Sequence, residues 1–83
     1  MRYMVCFEMT GPRDEIVALV PAERARVAEL QDAGILEGLY LAGEGGRGWI
    51  VMAGDSRAEI DSAVGSLPMA HLMDVEIVQL REG

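Results

Sequence analysis

The 83-residue chain contains no lysine and no asparagine, and cysteine, histidine, tryptophan and phenylalanine occur once each. The single cysteine, Cys6, excludes an internal disulfide, and its place in a predicted strand reads as a buried, reduced thiol. One histidine and one cysteine do not supply the clustered ligands that zinc sites use. Glu8, Asp74 and Glu76 resemble a metal set only on paper, and we expect no metal. All seven positive residues are arginines, scattered along a chain of net charge −7. That balance excludes general affinity for nucleic acid or an anionic membrane, since phosphate binding needs clustered cations. No basic-then-apolar leader pattern and no apolar run of membrane-spanning length is found. The expectation is a soluble, cytoplasmic protein.

What is present is apolar. Hydrophobic residues make up 51% of the chain, although a domain of this size buries only roughly 60% of the surface its unfolded chain exposes. Some of the apolar surface is therefore expected to lie against another chain, a common remedy for small domains.

In chain order, Arg2 to Met9 alternates as a strand, with Tyr3, Val5, Phe7 and Met9 on one face and Met4, Cys6 and Glu8 on the other. Thr10-Gly11-Pro12 is a turn. Asp14 to Val20 reads as a short helical turn, and Pro21 opens a longer helix to about Ala33. Ala25, Ala28, Val27 and Leu30 mark its buried side, Glu23 falls on the solvated side, and Gly34 is its stop. Ile35 to Ala42 and Trp49 to Ala53 form two further strands, the first with Leu36, Gly38, Tyr40 and Ala42 on one face and Ile35, Glu37, Leu39 and Leu41 on the other. The glycine-rich run Gly43 to Gly48 between them reads as a hairpin turn, because a phosphate loop would open a helix. Ser56 and Glu59 fit a capping box for a second helix. Ile60, Ala63, Val64 and Leu67 give it an apolar stripe, and Pro68 stops it. A last strand runs from about Met73 to Leu80.

The order β-α-β-β-α-β predicts one α+β domain over residues 1–83, with the ferredoxin-like split pattern and a four-stranded antiparallel sheet. Both helices cover one sheet face. An uncovered apolar face, carrying Ile35, Leu39 and Leu41 or their opposite-parity neighbours together with Met4, Cys6, Val78 and Leu80, would be an association surface for a second copy.

Leu67-Pro68 followed by Met73-Asp74-Val75-Glu76-Ile77 resembles the ending of the muconolactone isomerase family, where a Leu-Pro helix exit leads into a Met-Asp-Ile-Glu strand. Ala42-Gly43-Glu44 before an aromatic-containing strand, and Tyr3, Val5 and Glu8 at the start, are similar to that family as well. The resemblance spans nearly the whole chain. It implies a dimeric α/β barrel in which two ferredoxin-like subunits join their sheets, with assembly beyond the dimer. It also implies a reaction that moves a double bond within a lactone by shifting a proton, with no metal and no cofactor. The chain departs from the family at Leu36-Glu37-Gly38-Leu39, at Met4 and Cys6, and at Ala70 and His71. These departures turn the expectation towards a cofactor-free isomerase or cyclase acting on another small organic molecule, from a lactone, polyketide or aromatic pathway. A non-catalytic ligand-binding or scaffold protein and a cofactor-free monooxygenase are the alternatives.

A proton shift needs a group that accepts and returns a proton near neutrality. His71, at the rim before the last strand, is the first candidate, and a surface histidine or one paired with Asp74 is its structural alternative. Glu44, in the hairpin beside glycines that permit close approach, is the second. Tyr3, Tyr40 and Trp49 are candidate pocket walls for a planar substrate, and would serve an ordinary core equally well. Glu8, Asp74 and Glu76 are expected to pair with Arg2 or Arg47 at an interface.

Overall fold

A computed structural model describes all 83 residues. Strand β1 (Arg2–Met9) is followed by helix α1 (Arg13–Asp32), strands β2 (Leu36–Leu41) and β3 (Arg47–Ala53), helix α2 (Arg57–Gly65) and strand β4 (Met73–Leu80). A 3₁₀ turn at Ala70–Leu72 leads into β4. The sheet has the order β2-β3-β1-β4, and every neighbouring pair is antiparallel. The ferredoxin-like α+β expectation holds.

Alternation decides what each face carries. Tyr3, Val5, Ile50 and Met52 are buried, so their face is the one the helices cover. They join Leu30 of α1 and Ile60, Ala63 and Val64 of α2 in one core. Burying each large member contributes about 1.5–3 kcal/mol. The opposite face carries Met4, Cys6 and Glu8 of β1 beside Val78, Glu76 and Asp74 of β4, and Val51, Trp49 and Arg47 of β3. No element covers it, and Val78 and Leu80 stand exposed there.

Three local features differ from the sequence expectation. First, α1 is one helix of 20 residues with Pro21 inside it. The missing proline N–H forfeits a bond to the Val17 carbonyl, and Val17 is exposed, so water can serve that oxygen. Second, Ala25 and Ala28 face solvent. The side turned inward is the stripe Ile16, Val20, Glu23, Val27 and Leu30, at the spacing of a core-facing helix, and Glu23 in it is half-buried. Third, β2 bulges between Leu36 and Gly38. The extra residue flips the parity of everything after it. Leu36 pairs with Met52 on the covered face, the bulge brings Leu39 and Leu41 to that same face beside Ile50 and Gly48, and Tyr40 joins Trp49 on the open one.

The Gly34 stop and the Ser56 half of the capping box match expectation. Gly34 adopts φ 76°; its N–H donates to the Gln31 carbonyl and that of Ile35 to the Leu30 carbonyl, both at 3.0 Å, the pair of bonds of a Schellman stop. Ser56 Oγ accepts from the Glu59 N–H at 3.3 Å. Glu59 reaches one residue further back than a capping box requires, accepting from the Asp55 N–H at 2.7 Å.

Candidate functional site

At the β2–β3 end, the covered face is not filled. Gly45 and Gly46, with φ of 83° and 82°, turn the chain between the two strands, and the Met9 N–H donates to the Gly46 carbonyl at 2.7 Å, tying the hairpin to the end of β1. Between this hairpin and the N-terminal half of α1 lies a cleft of about 590 Å³. Its walls are apolar: Phe7 and Met9 from β1, Ile16, Val20 and Val27 from α1, Leu39 and Leu41 from β2, and Met69 and Met73 from the α2–β4 connection. Phe7 can lie across β3 because residue 48 is glycine: a Cβ there would meet the Phe7 ring at 2.6 Å. Such an apolar concavity with a few polar groups is the usual form of a small-molecule site.

The polar groups of the cleft are Glu23, Arg24, Glu44 and Arg47. Glu23 comes from the inward stripe of α1, and its Oε1 accepts from the Met69 N–H at 3.0 Å. Glu44 lies in the hairpin, where the Arg47 guanidinium donates to it at 3.1 Å. A backbone hydrogen bond at Glu44, then the hydrogen bond and charge of Arg47, hold its carboxyl below the ordinary value of 4.5. Glu44 is therefore ionised at neutral pH.

A second hollow, of about 310 Å³, lies on the open face and is lined by Cys6, Glu8, Arg47, Trp49, Asp74 and Glu76 among others. Arg47 borders both concavities. Its guanidinium carbon stands 5.6 Å from the centroid of the Trp49 ring, within cation–π range. The expected pairing of the three acids with Arg2 or Arg47 does not occur: Arg2 bonds Glu37 at 2.8 Å and Arg47 bonds Glu44. No group of His, Cys, Asp or Glu side chains is arranged to hold a metal ion.

The structure separates the residues the sequence singles out. Glu44 lies at the cleft. Trp49 lies in the open-face hollow, and Tyr40, which is 61% exposed, stands beside it in the sheet. Tyr3 is buried in the core at the far end of β1, its hydroxyl 3.8 Å from Met1 Sδ. His71 is exposed on the 3₁₀ turn, two residues from both Met69 and Met73 of the cleft wall. Sequence reasoning missed Glu23. Its signal was present, because a stripe drawn through Ile16, Val20, Val27 and Leu30 runs through it.

Residues 1–82 match the family model described as muconolactone delta-isomerase. Among the solved structures that match is 5-chloro-2-hydroxyhydroquinone dehydrochlorinase from Burkholderia phenoliruptrix AC1100, in complex with 2,5-dihydroxybenzoquinone. It is 18% identical, with a TM-score of 0.75 over 100% of this chain and 96% of that one. At that identity the likeness shows the shared fold. No curated protein matches. No helix is long and apolar enough to cross a membrane.

Proposed function

Because the chain belongs to the muconolactone delta-isomerase family, we propose that it is a cofactor-free isomerase- or cyclase-like enzyme that moves a proton within a small organic molecule bound in the cleft between α1 and the sheet. The observation that carries this reading is the cleft itself, an apolar cavity of about 590 Å³ with charged groups along one side. Its size suits a molecule of one or two rings, and the apolar walls suit the body of a lactone or an aromatic-pathway compound. The structural relative's name, a dehydrochlorinase of a hydroxylated ring, is in keeping with such a substrate. The ionised Glu44 and its partner Arg47 supply the polar end, where they would orient a substrate oxygen or carboxylate. Glu44 and His71 are the sequence's acid/base pair. His71 carries an imidazole, a side chain able both to accept and to return a proton, and from its exposed turn it would have to swing towards the cleft mouth to act.

The uncovered sheet face goes with this reading. Met4, Cys6, Trp49, Val51, Val78 and Leu80 would be covered by the same face of a second copy, giving a homodimer that encloses the open-face hollow, with Tyr40 and Trp49 at its edge. A stable dimer needs about 800 Å² from each partner, an area that one face of a four-stranded sheet can supply. Light scattering that finds a monomer at micromolar concentration would remove this part of the reading.

The test of the chemistry is turnover of two probes, muconolactone and 5-chloro-2-hydroxyhydroquinone, by the purified protein without added metal or cofactor. Conversion of either supports the reaction class, and Glu44→Gln and His71→Ala then report on the pair. If both variants turn over as the wild type does, neither residue transfers the proton. If the wild type converts neither probe but binds one in the cleft, a ligand-binding role takes precedence.

A further inference from the structure

Glu23 occupies a position that helix amphipathicity does not explain. It is the one charged member of the stripe that α1 turns towards the sheet, between Val20 and Val27, and all three line the cleft. A carboxylate there gives up hydration that the solvated side of the helix would have offered, which costs free energy unless the group is hydrogen-bonded. One bond is supplied by the Met69 N–H, which donates to Oε1 at 3.0 Å across 46 residues of sequence. Glu23 makes no salt bridge, and its second oxygen has no protein donor. One oxygen is thus fixed by a partly buried hydrogen bond from the Met69 main chain, while the other stays free at the wall of an apolar cavity. Glu44, the other carboxylate of the cleft, is committed to Arg47.

We infer that Glu23 is the group that carries the proton in the cleft, with the Met69 amide as the support that aims it. The inference rests on the reading of the cleft as the reaction site and assigns its acid/base residue. The substrate class it implies is a carbon acid with a compact apolar body and a conjugated carbonyl. The free oxygen of Glu23 removes a proton from carbon, and the electron pair left behind delocalises onto the carbonyl oxygen. Arg24 and Arg47, the two cations of the cleft, are the groups available to that oxygen. The same carboxyl then returns its proton to another carbon of the conjugated system, so the double bond moves with no net proton or electron exchanged.

Two measurements test the assignment. In the first, Glu23→Gln keeps an oxygen able to accept from the Met69 N–H and removes the base, whereas Glu23→Ala removes both. The expected result is an unchanged unfolding temperature for Glu23→Gln, with kcat on muconolactone or 5-chloro-2-hydroxyhydroquinone lower by about 10²-fold or more. Full turnover by folded Glu23→Gln overturns the proposal and leaves the reaction class standing. The second measurement needs no substrate. Dicyclohexylcarbodiimide, an apolar reagent for carboxyl groups, is applied to the wild-type protein and the adducts are mapped by mass spectrometry. Glu23 is expected to be modified before the fully exposed acids, because the cleft concentrates the reagent beside it. Modification that simply follows exposure overturns the placement of Glu23 as the accessible carboxyl of an apolar site. Early modification of Glu23 in a protein that converts neither probe sinks the reaction class and upholds that placement.

Discussion

The covered face of the sheet is one surface with two unlike ends. At the end where β1 begins, Tyr3, Met52 and Leu36 are 4%, 0% and 3% exposed, and Leu30 of α1 and Ile60 of α2 complete their core. At the hairpin end, Leu39 and Leu41 on the same face are 39% and 69% exposed. The strands are the same and so is the long helix above them. The difference comes from the second layer. Helix α2 spends Ile60, Ala63 and Val64 on the closed end, so the N-terminal half of α1 has only the sheet to pack on, and Ile16 and Val20 stay half-buried. One end holds the fold together, and its hollow of about 710 Å³ is edged by Arg26, Asp55, Glu59, Ser62 and Ser66; the other holds the apolar cleft that suits a ligand. Such a division suits a small enzyme, since a site needs a concavity that a filled core would remove.

The comparison breaks if the two ends respond alike to truncation. Met52→Ala empties a fully buried position and is expected to cost about 2–5 kcal/mol, with turnover per folded molecule unchanged. Leu39→Ala removes a side chain already 39% exposed. It is expected to cost roughly 1 kcal/mol or less, yet to weaken binding or turnover of whichever probe the wild type accepts. Urea unfolding and steady-state kinetics on the two variants check both halves. If Leu39→Ala unfolds as readily as Met52→Ala, the hairpin end is core and the cleft is not a site.

Much of the closed end was legible in the sequence because the signals for it are local. Period-two alternation gave β1 and β4, Gly34 and Ser56 marked a helix end and a helix start, and Pro68 ended the second helix. The open end was harder to read because its features depend on partners distant in sequence. The bulge at Glu37 arises from pairing with β3, and it moves Leu39 and Leu41 to the covered face and Tyr40 off it. Pro21 suggested a helix boundary that the chain ignores, which broke the α1 stripe in two and hid Glu23 as an ordinary solvated acid. Tyr3 shows the opposite limit. A strand aromatic beside apolar neighbours reads the same whether it lines a pocket or fills a core, and burial assigns it to the core. Glu44 was the one site candidate whose local cue, a carboxylate among hairpin glycines, also placed it at the cleft.

The smallest expected effect sharpens the contrast between the two carboxylates of the open end. Glu44 is 66% exposed and bonded to Arg47, and its carboxyl is held below the ordinary value of 4.5 by a backbone hydrogen bond and then by that guanidinium. A depressed carboxylate favours the fold above the unfolded-state value and loses that contribution as pH falls through the folded one. The wild type should therefore melt slightly above Glu44→Gln at neutral pH, with the gap narrowing to nothing in acid below 4.5. Added salt should close the gap as well, because exposed pairs are screened. Thermal melts from neutral to acid pH, at low and high salt, measure this. A gap that widens in acid would mean that Glu44 is protonated in the folded state, and it would then be a proton donor of the cleft mouth and no longer the fixed anion that positions Arg47.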